Sequence, residues 1–342
     1  MALKKEADHK PRIVHVTPSA GIPGGEFCIR GTGFSRDEDR PMVMIGDQVA
    51  PLVVGSESYL VARVPDSASN GDIVVNLTGA ASAPYSCDIG ILIAEGVHPV
   101  GNPAVDHFGN AYATLSGSRG QKTPVSVYKV DTDGNVKPFL SDIMNPTGLA
   151  FDCDGMMYVS SRYEGIIYQV TPSGSMSVFC EGMGVATGIA FDGEGNLYVG
   201  DRSGTIFKIS PDRQIYVFAT MEASISAYHL AFGPDGHLYV TGPTTSYDSV
   251  HRISGAGEVE VFYRGLGRPQ GLAFDHEGRL YVAASLKGSR GVVRIDDNRK
   301  AELYLSGPYI VGLAFSPARD LIIATNGALF RVHADLGPLH IR

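Results

Sequence analysis

The chain of 342 residues contains no tryptophan and only four cysteines. Cys28, Cys87, Cys153 and Cys180 show neither CxxC spacing nor an obvious disulfide framework. No apolar run approaches the length of a membrane-spanning helix, and the polar start at residues 1–10 lacks a signal-peptide core. These absences predict a cytoplasmic protein with no membrane partner, unless a leader has been removed from a longer precursor.

Positive charge is also scarce. The formal net charge is -8, so the chain as a whole has no electrostatic attraction for nucleic acid or anionic membranes. Residues 11–90 contain five basic and nine acidic residues, which gives this stretch a charge of -4. A surface of that sign repels phosphate, and the sequence therefore predicts no nucleic-acid partner.

What the sequence does have is a pattern of about forty residues repeated six times. Four copies contain the segments "GLAFDCDGMMYV", "GIAFDGEGNLYV", "HLAFGPDGHLYV" and "GLAFDHEGRLYV". Each copy has an apolar strand, a tight Asp/Gly turn, a second strand and two further strand-like runs, a period typical of β-propeller blades. The copies open at Asn102, Gly148, Gly188, His229, Gly271 and Gly312.

The sixth copy ends too early to contain an outer strand. The missing piece lies before the first copy, where "ILIAEG" aligns on "SVFCEG" of the second. We therefore predict that residues 89–95 form the outermost strand of blade six and close the ring, because an open ring would expose unpaired strand edges. The predicted fold is all-β, with a polar tail at 1–10, a small Ig-like β-sandwich at 11–87 and a six-bladed propeller at 88–342.

The first domain has short alternating strands separated by turn residues, which is typical of a β-sandwich. It resembles the IPT/TIG family of immunoglobulin-like domains. Some members of that family occur in DNA-binding proteins, but the negative local charge favours a protein-docking or spacer module, and hence a protein partner for this domain. The matching residues are Pro18, Gly24, Gly25, Ile29, Gly31, Gly33 and Phe34, then Ile45–Gly46, Val64–Pro65 and Val74.

The repeat motif G-[LI]-A-F-D-x-x-G-x-[LM]-Y-V resembles the NHL-repeat and SMP-30/gluconolactonase group of propellers. The absence of tryptophan excludes the WD40 type. This resemblance implies lactonases, lyases or binding platforms, since the same architecture supports all three. The turn "DCDG" at Asp152–Gly155 looks like a calcium loop, but similar turns fill the same slot in other blades, so we interpret it as structural.

The resemblance also implies a divalent cation, held by Glu, Asn, Asp or His at the upper mouth of the propeller. The residues just before each opening position should line that mouth, and none of them is a carboxylate, a histidine or a cysteine. No cofactor is therefore predicted, although calcium or zinc remains an alternative. These residues are Gly101, Thr147, Thr187, Tyr228, Gln270 and Val311.

Two opening positions depart from glycine, Asn102 in blade one and His229 in the opposite blade four. Either their side chains face each other across the axis, or the position requires a left-handed backbone that Asn and His tolerate. His98 lies four residues before Asn102 and could pair with His229, although a metal ion would still lack a third ligand.

The top loops contain Arg119, Arg162, Arg202, Arg268 and Arg290. Such guanidinium groups suit carboxylate or phosphate ligands, but they could also form salt bridges with Glu164, Asp201 and Asp248. The longest top loops, near 115–125, 241–249 and 284–291, are expected to wall the pocket.

The first functional hypothesis is a propeller that binds a polar or anionic small molecule (a sugar, an organic acid or a peptide) in the axial pocket of its top face. The second is a diverged lactonase-like hydrolase or lyase with His229 as general base. The third is a protein-interaction scaffold. The predicted ligand-binding residues are His98, Asn102, Thr147, Arg162, Thr187, Arg202, Tyr228, His229, Arg268 and Gln270.

Overall fold

The computed structural model describes residues 10–35, 39–68, 71–242 and 248–339. These residues form 35 β-strands and no helix, so none of them belongs to a helix able to cross a membrane. Apart from Lys10, the predicted polar tail lies outside the described residues. The chain divides into two compact units, Met1–Ile91 with Leu303–Pro308, and Leu92–Glu302 with Tyr309–Arg342.

The first unit is the predicted β-sandwich. Side chains alternate between core and surface along its strands, and Phe27, Ile29, Leu60 and Ile73 are fully buried between the two sheets. The first sheet has the order β1 (Arg12–Thr17), β3 (Glu26–Thr32), β7 (Tyr59–Arg63), β6 (Leu52–Gly55). The second has the order β5 (Gln48–Ala50), β4 (Met42–Ile45), β8 (Ile73–Leu77), β9 (Ala80–Ala81), while β2 (Ala20–Gly21) pairs in parallel with β10 (Asp88–Ile89).

The six predicted blades are each built on antiparallel strands and belong to the second unit, apart from Ile91 and the Leu303–Pro308 part of blade five. Blade one contains β12 (Ala104–Val105), β13 (Ala111–Thr114), β14 (Val127–Val130) and β15 (Val136–Leu140). Blade two contains β16 (Pro146–Phe151), β17 (Met157–Ser161), β18 (Ile166–Val170) and β19 (Met176–Cys180). Blade three contains β20 (Ala186–Phe191), β21 (Leu197–Asp201), β22 (Thr205–Ile209) and β23 (Ile215–Thr220). Blade four contains β24 (His229–Phe232), β25 (Leu238–Thr241), β26 (Ser249–Ile253) and β27 (Val259–Arg264). Blade five contains β28 (Leu266–Gly267), β29 (Leu272–Phe274), β30 (Leu280–Leu286), β31 (Ser289–Ile295) and β32 (Ala301–Ser306). Blade six contains β33 (Ile310–Phe315), β34 (Asp320–Thr325) and β35 (Ala328–His333).

Blade six is completed by a strand from ahead of blade one, as the sequence predicts. The strand begins at Ile91 and not at residue 89, because Ile89 pairs with Gly21. The strand β11 (Ile91–Glu95) lies at the outer edge of the sheet with the order β11-β35-β34-β33. Ala94 and Val97 are buried in one cluster with Ala111 of blade one and Leu329 of blade six. The ring is therefore closed by a segment that packs between the first and last blades.

The Asp/Gly turns are stabilised by hydrogen bonds to their own aspartate side chain. In the "DCDG" turn, Oδ1 of Asp152 accepts hydrogen bonds from the backbone N–H groups of Asp154 (3.0 Å) and Met156 (2.9 Å). The carboxylate thus stabilises the two-strand turn, which confirms the structural interpretation of this motif.

The blades are joined by a repeated aromatic contact. Tyr198 of blade three packs edge-on against Phe218 of its own blade and Phe232 of blade four, with ring centroids 4.9 Å apart in both pairs. Its hydroxyl donates to Oδ2 of Asp192, 3.1 Å away, so the polar end of the ring is satisfied. The same geometry recurs at Tyr112, Tyr158 and Tyr239.

The opening glycines are required by close packing at the axis. A β-carbon on Gly148 would lie 2.5 Å from the carbonyl oxygen of Thr187 in the next blade, and one on Gly312 would lie 2.5 Å from that of Gly101. None of the six opening residues has a positive φ, so the interpretation that this position needs a left-handed backbone is wrong. The inner strands approach too closely here for most side chains.

Candidate functional site

His229 fills the propeller axis at the level of the opening residues. Only 5% of the residue is exposed, and a β-carbon on Gly101 would lie 3.5 Å from its Nδ1. The imidazole therefore reaches from blade four to blade one. Burial lowers the pKa of His229 to about 4, so the ring is neutral at neutral pH. Its predicted catalytic role stays a prediction.

One expectation was that Asn102 faces His229 across the axis, and the structure contradicts it. Its Nδ2 donates to the carbonyl oxygen of Leu272 in blade five, at 2.7 Å, and its Oδ1 accepts from the N–H of Leu313 in blade six, at 3.2 Å. The amide thus binds the backbones of two other blades. Both polar atoms of the side chain, Nδ2 and Oδ1, are therefore already hydrogen-bonded within the protein.

Thr147, Thr187 and Tyr228 are buried and do not line an open mouth. The hydroxyl of Thr187 donates to the carbonyl oxygen of Gly200 at 2.8 Å and accepts from the N–H of Tyr228 at 3.1 Å. Thr147 donates to the carbonyl oxygen of Asn145 at 3.2 Å. Burial raises the pKa of Tyr228 to about 12. The expectation that this row lines the ligand site is wrong for these three residues, because their polar atoms bind neighbouring backbone.

Gln270 and His98 are each hydrogen-bonded to nearby backbone. Gln270 is half-buried and donates its backbone N–H to the carbonyl oxygen of Ala283 at 2.8 Å. His98 is exposed, with Nδ1 2.7 Å from the carbonyl oxygen of Asn326. The exposed ring of His98 therefore does not form the expected pair with the buried ring of His229.

The upper rim does not fit a divalent cation. Hard cations take several oxygen donors, usually with a carboxylate among them, whereas the threonine hydroxyls here are bonded to backbone. Among the residues that the structure describes, no three His, Cys, Asp or Glu side chains form a group able to hold a metal ion.

A cavity of about 720 Å³ lies on the top face above blades two and three. It is set to one side of the axis, in contrast to the axial pocket that the sequence predicts. Arg162 and Arg202 contribute from the loops that follow β17 and β21. The lining residues are Arg119, Asn145, Arg162, Tyr163, Gly184, Val185, Arg202, Ser203 and Ser224.

Arg268 does not join the other two arginines, contrary to expectation. It is exposed, outside the cavity, and its backbone N–H donates to Oδ2 of Asp248 at 3.0 Å. The third guanidinium of the cavity belongs to Arg119, in the predicted long loop near 115–125. The loop near 284–291 does not line the cavity, and residues 243–247 of the remaining loop lie outside the described residues.

The cavity is positively charged. Three arginines and no carboxylate line it. The pKa of Arg162 is lowered, first by burial and then by the positive charge of Arg202. The nearby Glu164 accepts hydrogen bonds from Ser161 and Tyr168. Within the described ranges, none of the three cavity arginines forms an ion pair with an acid, so the salt-bridge alternative is not observed for them.

An aromatic ring and a hydroxyl complete the lining. Tyr163 is 53% exposed, and a β-carbon on Gly120 would lie 3.0 Å from its Cε2. The Ser203 hydroxyl donates to Asp201, whose other oxygen accepts from the N–H of Val185 at 2.8 Å. A ring surface next to guanidinium groups suits an anion that also carries a ring or an apolar body.

A comparison of the repeats would have located this site. Arg162 and Arg202 both stand fourteen residues after the opening glycine of their blade, at Gly148 and Gly188. The other four blades have Ser116, Pro243, Ser285 and Asn326 at that position. Arginine is thus confined to two adjacent blades. Arg119 was indicated by the long loop near 115–125, which the sequence predicts to wall the pocket, whereas Tyr163 had no comparable signal.

Comparisons with known proteins agree with this architecture. Residues 11–89 match the family model of the IPT/TIG domain. None of the curated protein sequences matches the chain. Among solved structures, a gluconolactonase from Xanthomonas campestris is similar with a TM-score of 0.63 at 17% identity, over 73% of this chain and 90% of that one.

Two further structures extend the comparison. An auxiliary nutrient binding protein from Bacteroides thetaiotaomicron has a TM-score of 0.57 at 13% identity, over 94% of this chain and 97% of its own. Virginiamycin B lyase from Staphylococcus aureus has a TM-score of 0.52 at 14% identity, over 86% and 99%. At these identities the likeness shows the fold alone, since the same fold hosts unrelated activities.

Proposed function

We propose that the top-face cavity binds a small anionic molecule, an organic acid, a sugar acid or an acidic peptide, as a binding platform without a resident metal. The observation that supports this most is the meeting of Arg119, Arg162 and Arg202 in one cavity without an ion-pair partner among the described residues. Like charges held together repel each other, and an anion between them relieves that repulsion. The exposed ring of Tyr163 would cover the apolar part of the ligand.

The strength of such a site follows from its hydrogen bonds. A charge-assisted hydrogen bond contributes about 1.5–3 kcal/mol. The loss of one arginine contact should thus weaken binding by roughly ten- to a hundredfold, because about 1.4 kcal/mol corresponds to a factor of ten. Binding should also weaken with added salt, since two of the three arginines are exposed.

The test is calorimetric titration with citrate, gluconate and inorganic phosphate, with neutral glucose as the matched ligand lacking charge. We expect the anions to bind and glucose not to bind. Arg162→Gln and Arg202→Gln should each weaken anion binding. Arg290→Gln is the control, because Arg290 is exposed on a top loop but does not line the cavity. Equal binding of glucose, or equal effects of all three variants, would contradict the proposal.

A diverged hydrolase or lyase is the second candidate, because two of the similar structures are named as a gluconolactonase and a lyase. His229 would then act as general base. Its pKa of about 4 makes the imidazole a weak base near neutral pH. Lactone hydrolysis should be assayed with and without added calcium, zinc or manganese. Turnover that His229→Ala abolishes would favour the enzyme over the binding platform.

A protein scaffold is the third candidate, supported by the edge strand β6 of the first unit. All four of its residues are exposed, and Leu52, Val53 and Val54 are apolar. An exposed apolar edge can accept a strand from a partner. If so, Val53→Lys should abolish the binding of that partner while it leaves anion binding at the propeller unchanged.

A further inference from the structure

The loop that contains Arg119 is hydrogen-bonded to one buried side-chain amide, that of Asn145. Asn145 is only 1% exposed and has a φ of 47°. Its Oδ1 accepts from the N–H of Gly120 at 2.8 Å, and its Nδ2 donates to the carbonyl oxygens of Gly117 (2.8 Å) and Ser118 (2.9 Å). The side chain thus binds backbone groups on both sides of Arg119.

Blade two supports the same loop at two further points. The backbone carbonyl of Asn145 accepts from the N–H of Arg162 at 3.2 Å, and a guanidinium nitrogen of Arg162 lies 3.4 Å from the carbonyl oxygen of Gly117. The ring of Tyr163 packs against Gly120, whose φ is 75°. The loop of blade one is therefore attached to blade two, which is the blade that supplies the neighbouring guanidinium.

We infer that Asn145 is a positioning residue for the anion site: it fixes the loop of residues 117–120 so that Arg119 faces the cavity beside Arg162. The inference rests on the proposed function. An asparagine suits this role because its amide offers two N–H donors and one acceptor on a short side chain, and because it tolerates a positive φ. An aspartate of the same shape would turn two attractive contacts with carbonyl oxygens into repulsive ones.

The first experiment does not depend on ligand binding. Trypsin cleaves after arginine, so the bond between Arg119 and Gly120 reports how firmly the loop is held. Asn145→Asp should increase the rate of cleavage at that bond at least tenfold at neutral pH. Asn196→Asp is the matched control, because Asn196 is also a buried amide but binds Asp192 in a turn on the opposite face. It should leave the rate unchanged.

The second experiment is a double-mutant cycle with citrate as the probe. If Asn145 acts through Arg119, Asn145→Asp and Arg119→Gln should each weaken binding by about tenfold, and the double variant should be no weaker than either. A purely structural loss would instead add to that of Arg119→Gln. Gly120→Ala, which puts a methyl group against Tyr163, should act in the same direction if Asn145→Asp does not fold.

The outcomes separate the two proposals. An unchanged cleavage rate, or additive losses in the cycle, would overturn the role of Asn145 while Arg162→Gln and Arg202→Gln still test the site. If the wild-type protein binds none of the anions, the proposed function fails and the positioning role fails with it. Faster cleavage without any anion binding would then show that the amide holds the loop for structure alone.

Discussion

The buried imidazole of His229 should make the stability of the propeller depend on pH. The group is neutral in the folded protein, because burial lowers its pKa to about 4 from its ordinary value of 6.5. In the unfolded chain it is in water and takes up a proton as the pH falls below about 6.5. The unfolded state therefore binds more protons between pH 6.5 and pH 4, and the free energy of unfolding falls as the pH falls through that range.

The magnitude follows from the difference between the two pKa values. One pKa unit corresponds to about 1.4 kcal/mol. Between pH 7 and pH 5 this imidazole should lower the free energy of unfolding by about 2 kcal/mol, and below pH 4 the loss should level off at about 3 kcal/mol. A loss of that size is a large part of the stability of a typical domain.

Urea unfolding of the wild type and of His229→Asn at pH 7 and pH 5, followed by circular dichroism, tests this reasoning. Asparagine already occupies the equivalent position in blade one and has no charge to gain. The other titrating groups contribute to both proteins, so their effects cancel in the difference. We expect the wild type to lose about 2 kcal/mol more than the variant between the two pH values. Equal losses would show that the imidazole is not buried in the neutral form.

Three further predictions concern the propeller framework. Phe232→Ala should destabilise the propeller by about 3–5 kcal/mol because it removes the aromatic contact between blades three and four, whereas Phe108→Ala, at a 72% exposed ring, should stay within about 0.5 kcal/mol. Gly148→Ala should lower the melting temperature, because the new methyl group would meet a carbonyl oxygen at 2.5 Å; Gly255→Ala, where nothing lies within 4 Å, should not lower it. Ala94→Glu should prevent cooperative thermal unfolding, because it buries a charge where β11 closes the ring; a normal melting curve would contradict the closure.

The fold was predictable because the sequence pattern of a propeller blade occurs six times. Each copy supplies the same strand periodicity and the same Asp/Gly turn, so an error in one blade is corrected by the others. The closing strand was predictable from a single alignment, "ILIAEG" on "SVFCEG", because the sixth sheet would otherwise lack an outer strand. The structure assigns β11 to Ile91–Glu95, with residues 88–89 in the first unit.

The site was predictable only in part, since the sequence shows which residue stands at a position but not how close the neighbouring backbone lies. Thr187 and Tyr228 appeared free to line a mouth, yet the inner strands meet there and their polar atoms bind one another. The cavity lies further out, where the top loops diverge. The NHL part of the family resemblance, the ligand-binding role of the site and the cytoplasmic location remain predictions.

Departures from the repeat therefore have to be sorted by what surrounds them. Asn102 and His229 depart from glycine at the axis, where Asn102 is bonded to the backbone of other blades and His229 is packed as a neutral ring. Arg162 and Arg202 depart from the repeat in the loop after the second strand of their blades. They line a cavity there, and within the described ranges no acid forms an ion pair with them. A buried departure with satisfied polar atoms stabilises the ring. A charged departure that faces a cavity without a counter-charge is available to bind a ligand of opposite charge. The arginines, and not the axial histidine, therefore mark the proposed site.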